Sequence, residues 1–175
     1  MDDALKSTQS ASPVKVSQAF GEIAWLISQS KLHHDLRVAD LGWFVMPPIL
    51  HRQFHLFRDG ERPVGVALWA MVNDAVEQKI IDGFDMSGSR MSDADWISGD
   101  QLWLVDLIAP FSTVENRHRE VMFGDLISGR FSGQSFKMVR VDLGSGSKDV
   151  VTVPADAGER LTQELRQNLA GGSAK

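Results

Sequence analysis

Five histidines, with no cysteine and no tyrosine, set the chemistry open to this 175-residue chain. Disulfides, zinc–thiolate sites, iron–sulfur clusters and cysteine nucleophiles are excluded, and no phenol can act as a general acid. Acid–base work falls mainly to His, Asp, Glu, Lys, Ser or Thr. Asp106 is the first anomaly, because it lies inside Leu102-Trp103-Leu104-Val105-Asp106-Leu107-Ile108, an otherwise apolar run. A carboxylate there is costly unless it is paired or hydrogen-bonded. Strand alternation can turn it to solvent at a sheet edge; the sharper reading is an Asp oriented toward a His. The adjacent pair His33-His34 is the second anomaly. A helix end favours solvent-facing His through its dipole, and either ring is also a candidate base. Ser30 stands about one helical turn before His33, either as a plain helix-end serine or as a hydrogen-bonding partner near the site.

Metal chemistry is poorly served. Adjacent histidines rarely point at one ion, and there is no HExxH motif. His51 and His55 fall in a predicted strand region, where a spacing of four puts them about 13 Å apart, and they are read as non-ligands. His118, in Arg117-His118-Arg119-Glu120, is expected to be exposed. The Gly-rich GSGSK lacks the Walker A spacing and opens no convincing helix.

These residues need elements to hold them. Val16, Phe20, Ile23, Ala24 and Ile27 recur at helical spacing and predict an amphipathic helix to about Ser30, with Trp25 and Leu26 widening its buried stripe. In LGWFVMPPIL, Pro47-Pro48 should interrupt any regular element. The strand-like Gln53–Phe57, the turn RDGER and then PVGVALWAMV read as a β-hairpin. DGFDMSGSRMSD reads as a surface loop and QLWLVDLIAPF as a strand ended by Pro110. A helix follows from about Val114 to Arg130, then the strand SFKMVRVDL, flexible GSGSK and a last helix over Ala155–Leu169. The sum is an α+β protein with a mostly antiparallel central sheet flanked by helices. Its expected organisation is a flexible N-terminal arm over residues 1–15, a single domain over 16–170 and a flexible tail over 171–175.

Composition narrows the function. Apolar residues at 43% and charged residues at 23% are ordinary for a globular protein and argue against disorder. Asp plus Glu at 23 outnumber Lys plus Arg at 18, a net charge of -5 that disfavours a nucleic-acid partner. No apolar run reaches the roughly 18–20 residues of a transmembrane segment. The first fifteen residues carry no apolar signal core, so a cytoplasmic location is expected.

Three segments, GEIAWLISQSKLHHD, WISGDQLWLVDLIAPFS and MVRVD, resemble the RTX toxin-activating lysine acyltransferases, the hemolysin-activating family. Gly21, Ala24, Trp25, Leu26, Ser30 and His33 match a first block of the form G-x-[IV]-[AS]-W-L-W-x-x-S-P-x-H. Trp96, Ser98, Gly99, Asp100, Trp103, Asp106, Ile108, Ala109, Pro110 and Phe111 match W-x-S-G-D-x-x-W-[FI]-I-D-W-I-A-P-F. Trp69-Ala70 and Arg140-Val141 match shorter motifs, so the resemblance runs over roughly residues 18 to 142.

The resemblance implies a cytoplasmic enzyme of acetyltransferase-like (GNAT-like) fold. Such an enzyme moves a fatty acyl group from acyl-acyl carrier protein to internal lysine ε-amines of an RTX-type protoxin, with no tightly bound cofactor. It implies His33 and Asp106 as catalytic, with Ser30 and His34 in support. A lysine ammonium must lose a proton before attacking a thioester, and an imidazole, ordinarily titrating near ~6.5, is the natural base. Asp106 would orient that ring, as the third member of a triad does. With no cysteine relay, direct transfer or a transient acyl-His remains. The R/Q-x-x-G-x-G/A loop of CoA-dependent acetyltransferases is missing after Asp106, which counts against acetyl-CoA. The partners implied are acyl carrier protein, an RTX-type acceptor and a homodimer copy, to which LGWFVMPPIL could contribute. Arg52, Arg58, Arg62, Arg117 and Arg119 are candidates to receive the acidic carrier.

The chain departs from the pattern at several places. Lys31 replaces the Pro between Ser and His, and His34 follows His33. Phe44 stands where an Asn is common, Leu107 replaces Trp, and TVPADAGERL replaces an H-G-G-K-like stretch. These differences keep open a second reading, a non-catalytic relative that binds acyl carrier protein or the RTX protein as a chaperone.

Overall fold

A computed structural model describes residues 15–83, 90–141 and 147–171. The expected arm (1–15) and tail (171–175) fall almost wholly outside these residues, as does half of the DGFDMSGSRMSD loop, residues 84–89. Helix α1 (Val16–Ser28) buries Ala19, Ile23, Leu26 and Ile27 on one stripe. Trp25 does not widen it: a rotation of about 100° per residue turns the indole outward, where it packs at a tilt against Phe111, ring centroids 5.6 Å apart. Single turns of 3-10 helix at Lys31–His33 and Val38–Asp40 lead into α2 (Leu41–Phe44) and α3 (Met46–Leu50). Pro47 and Pro48 therefore open a helix where interruption was expected. They occupy its first turn, where a missing backbone N–H costs nothing.

The hairpin forms, with β1 (Phe54–Asp59) antiparallel to β2 (Arg62–Val72), but its turn is tighter than RDGER: Arg58, Asp59 and Arg62 join the ladder, and Gly60 at φ 59° and Glu61 alone make the connection. Helix α4 (Asp74–Asp82), not anticipated from the sequence, is capped by Asn73, whose side chain accepts from the Val76 N–H at 3.0 Å. A 3-10 turn over Asp93–Ile97 precedes β3 (Gln101–Ile108). Helix α5 (His118–Ser128), β4 (Phe136–Val141), an unanticipated β5 (Lys148–Val153) and α6 (Ala157–Gly171) complete the order.

The five strands lie in the order β1-β2-β3-β4-β5, antiparallel except for the β3–β4 pair. This is an α+β sheet of acetyltransferase-like character. Helices α1 to α4 cover one face. There Ile23, Leu26, Phe44, Val66, Leu68 and Ile108 form one cluster, and Val72, Val76, Ile80, Trp96 and Trp103 form another. The other face packs Trp69, Leu104 and Phe136 against Leu126 and Ile127 of α5 and Leu161 of α6.

Candidate active site

Ser30, His33 and Asp106 meet on the face covered by α1. Asp106 reaches that face because of a β-bulge. Register between β2 and β3 pairs Leu68 with Asp106 but Trp69 with Leu104, so Val105 has no partner across the ladder. Strict alternation would send Asp106 to the side of Leu102 and Leu104, under α5. The extra residue resets the alternation, and Asp106 emerges on the same face as Trp103 and Leu68, as bulges beside functional sites commonly re-aim a side chain. Asp106 is turned to His33 and lies largely covered, so the reading that sends it to solvent does not hold.

The other two side chains come from the end of α1. That helix stops at Ser28, Ser30 turns to extended backbone, and one 3-10 turn brings His33 back over it. His33 Nε2 lies 2.7 Å from Asp106 Oδ2, across 73 positions of sequence, and His33 Nδ1 lies 2.7 Å from Ser30 Oγ. A carboxylate only accepts, so Nε2–H donates to Asp106. In the neutral ring Nδ1 then accepts from the Ser30 hydroxyl. The side chains of His33 and Asp106 are 13% and 25% exposed, and Ser30 is 8% exposed. Phe44 lies against the His33 ring, centroids 6.4 Å apart and planes 26° from parallel. The arrangement is a hydrogen-bonded line, hydroxyl to imidazole to carboxylate, with both ring nitrogens engaged.

His34 is placed differently. Its Nδ1 bonds back to the Lys31 carbonyl at 2.5 Å and its ring, 72% exposed, faces Asp35. His51 follows α3 instead of lying in a strand, and pairs with Asp93 at 3.1 Å. His118 is half-buried, against the exposure expected of it, because its ring turns into the fold at the start of α5; its Nδ1 is buried.

The model of the RTX toxin acyltransferase family matches residues 12–155. This chain belongs to the RTX toxin acyltransferase family. It is 35% identical over 128 residues to the protein-lysine myristoyltransferase RtxC of Kingella kingae, covering 71% of this chain and 69% of that one. It is 36% identical over 99 residues to the protein-lysine palmitoyltransferase CyaC of Bordetella bronchiseptica, of which the match spans about half, 51%. It is 27% identical over 154 residues to the RTX-III toxin-activating lysine-acyltransferase ApxIIC of Actinobacillus pleuropneumoniae, covering 83% of that protein.

Within this family member, the Trp-x-Ser-Gly-Asp block has a structural logic. Trp96 is fully buried, and Ser98 Oγ accepts from the Asn73 N–H at 3.2 Å while donating to the Asp95 carbonyl. Gly99 donates its N–H to the Met71 carbonyl at 3.1 Å. A Cβ at Gly99 would meet the Val72 carbonyl oxygen at 2.3 Å. The block is the corner that seats β3 beside β2 and so sets the height of Asp106.

One further feature lies on the opposite face of the sheet, against Leu107, the residue after Asp106. Strands β3 and β4 pair only at Trp103–Lys137 and Leu104–Met138, so the ladder stops where the bulge begins. On the α5 face of that gap lies a cavity of about 350 Å³, walled by Leu107, Phe123, Met138, Val151 and Val153, with exposed Arg119 and Arg140 beside it. Sequence reading missed this lining, since five apolar residues from four elements carry no local signal. Among the described residues no His or acid cluster could hold a metal, and no helix is long and apolar enough to cross a membrane.

Proposed function

We propose that this chain is a protein-lysine acyltransferase that moves a fatty acyl group from an acyl-acyl carrier protein thioester to lysine ε-amines of an RTX-type protein, in the cytoplasm. The observation that carries this reading is the Ser30–His33–Asp106 line inside a chain of the RTX toxin acyltransferase family. The names of the relatives, a lysine myristoyltransferase and a lysine palmitoyltransferase, support a fatty donor.

In this mechanism His33 is the general base and Asp106 its orienting partner. The incoming ammonium gives a proton to Ser30 Oγ as Ser30 passes its own to His33 Nδ1, and the imidazolium is held by Asp106. The free amine attacks the thioester carbonyl, the C–N bond forms and the C–S bond breaks. The imidazolium returns its proton through Ser30 to the departing thiolate, and the second proton of the amine passes from the forming amide nitrogen to the freed imidazole and on to solvent. Because both ring nitrogens are already hydrogen-bonded, a proton relay fits better than an acyl-His. Acyl carrier protein and the RTX acceptor are the partners, and no tightly held cofactor is required. Of the arginines suggested for carrier docking, Arg58 is paired with Glu22 and Arg117 with Glu120, while Arg62 lies over the Phe111 ring at 4.7 Å.

Intact mass of an RTX-type protein co-expressed with this chain tests the proposal. A fatty-acyl mass increase is expected with the natural sequence and none with His33→Ala. Equal acylation by His33→Ala would remove His33 from the chemistry. A stable complex with no mass increase from either form would favour the binding-only reading, which Phe44 in place of a polar residue keeps in view.

A further inference from the structure

We propose that Asp40 and Arg90 are positioning residues for His33, acting through the Trp43–Phe44 ring pair. Asp40 is the buried acid among the described residues, 1% exposed. Its carboxylate accepts from the Arg37 N–H at 2.9 Å, from Trp43 Nε1–H at 3.2 Å and from Arg90 Nη2 at 2.7 Å. The Arg37 N–H and the Trp43 indole, joined by Arg90, outweigh the upward pull of burial and lower its pKa.

A buried ion pair is a poor source of stability, since an apolar replacement often does as well. What this one supplies is direction. Arg37 and Trp43 flank Asp40 on the strap between α1 and α3, whereas Arg90 arrives from beyond α4 and also lies over the Trp43 ring at 5.9 Å. Trp43 is thereby fixed against Phe44, ring centroids 5.5 Å apart, and Phe44 against the His33 face. Hydrogen bonds at Nδ1 and Nε2 both lie in the imidazole plane. They define the line between Ser30 and Asp106 and resist tilt about it only weakly, leaving that to the side-chain torsions and to the neighbouring ring. The Phe44 face contact is what stops the tilt, and the Asp40–Arg90 clasp holds Phe44 in place.

The kinetic arm of the test rests on the acyltransferase reading; a spectroscopic arm does not. Arg90 is half exposed, so Arg90→Gln removes the charge without emptying the core, and Arg90→Lys restores it. Asp40→Asn, whose amide oxygen still accepts from Trp43, is the second variant. Arg90→Gln is expected to lower kcat for acyl transfer ~10-fold, with KM for the acceptor within about twofold. It is also expected to move the nitrogen NMR shifts of the His33 ring, which report its tautomer and hydrogen bonds, and Arg90→Lys should recover both. Lowered melting temperature with unchanged kcat and unchanged His33 shifts would overturn the inference and leave the clasp purely structural. If the natural chain transfers no acyl group, the functional reading fails. The His33 shifts, recorded without substrate, then decide the clasp alone: unchanged shifts in Arg90→Gln and Asp40→Asn overturn it.

Discussion

His33 sits between two unlike neighbours, and their removal should have unlike effects. Asp106→Asn keeps the shape of the carboxylate but can turn an N–H toward Nε2, which places the imidazole proton on the wrong nitrogen. By analogy with triads, acyl transfer should fall at least ~10³-fold. Ser30→Ala removes only the relay and leaves Nδ1 for the incoming amine, so a loss of ~10²-fold is expected. Thiol release from the acyl donor measures both, and the chain itself has no cysteine to contribute background. Complete loss in Ser30→Ala, with acyl label trapped on Ser30 of the natural chain, would replace the relay with an acyl-serine. Asp106 and the His33-His34 pair stood out in sequence because a carboxylate in an apolar strand and a His pair at a helix end are both conspicuous, while the choice of His33 over His34 came from the resemblance to the family's blocks. Asp40 was not. Its burial depends on Arg90, which lies far along the chain and gives no pattern at helical or strand spacing.

Among the elements, the hairpin, β3 and α1 could be read directly, since each carries its periodicity and its punctuation within one short window. Helix α4 escaped because it is short and its buried stripe is only Val76 and Ile80, although Asn73 at its cap and Asp74 and Glu77 in its first turn mark the start. The short β5, KDVVTV, escaped because it lies just past a Gly/Ser run. The bulge at Val105 could not be read at all: an unpaired residue is a property of two strands, and the sequence of one does not show it. What can be tested at this scale is the corner that delivers β3. Gly99→Ala forces a Cβ into the backbone of Val72 and Asn73, an overpacking expected to cost about 1–3 kcal/mol. Urea unfolding measures it. Deletion of Val105 is a sharper probe of the same strand, because it would return Asp106 to the α5 face and silence acyl transfer even where the fold survives.

For the whole molecule, acid sensitivity follows from where the carboxylates are tied. The Arg37 N–H, the Trp43 indole and Arg90 draw Asp40 below its ordinary 3.8. Burial pulls Asp95 upward, but Lys79 and the Ser92 N–H outweigh it, and its net shift is also downward. A carboxyl whose folded value lies below its unfolded one contributes stability that is complete above the unfolded value and is lost as pH falls through the folded one. Urea midpoints should therefore decline as pH drops below 3.8, and the decline should flatten in Asp40→Asn. A natural chain whose midpoint held steady to lower pH would contradict the ties described. The strand order of the sheet has a different consequence, one of timing. Spatial order repeats chain order, so no strand must be inserted between two already joined. During synthesis each new strand meets its neighbour already in place and extends a growing edge. The segment bearing His33 emerges early and stays without its carboxylate until β3 is laid down, so a nascent chain cut short before Asp106 has the base but not the device that orients it.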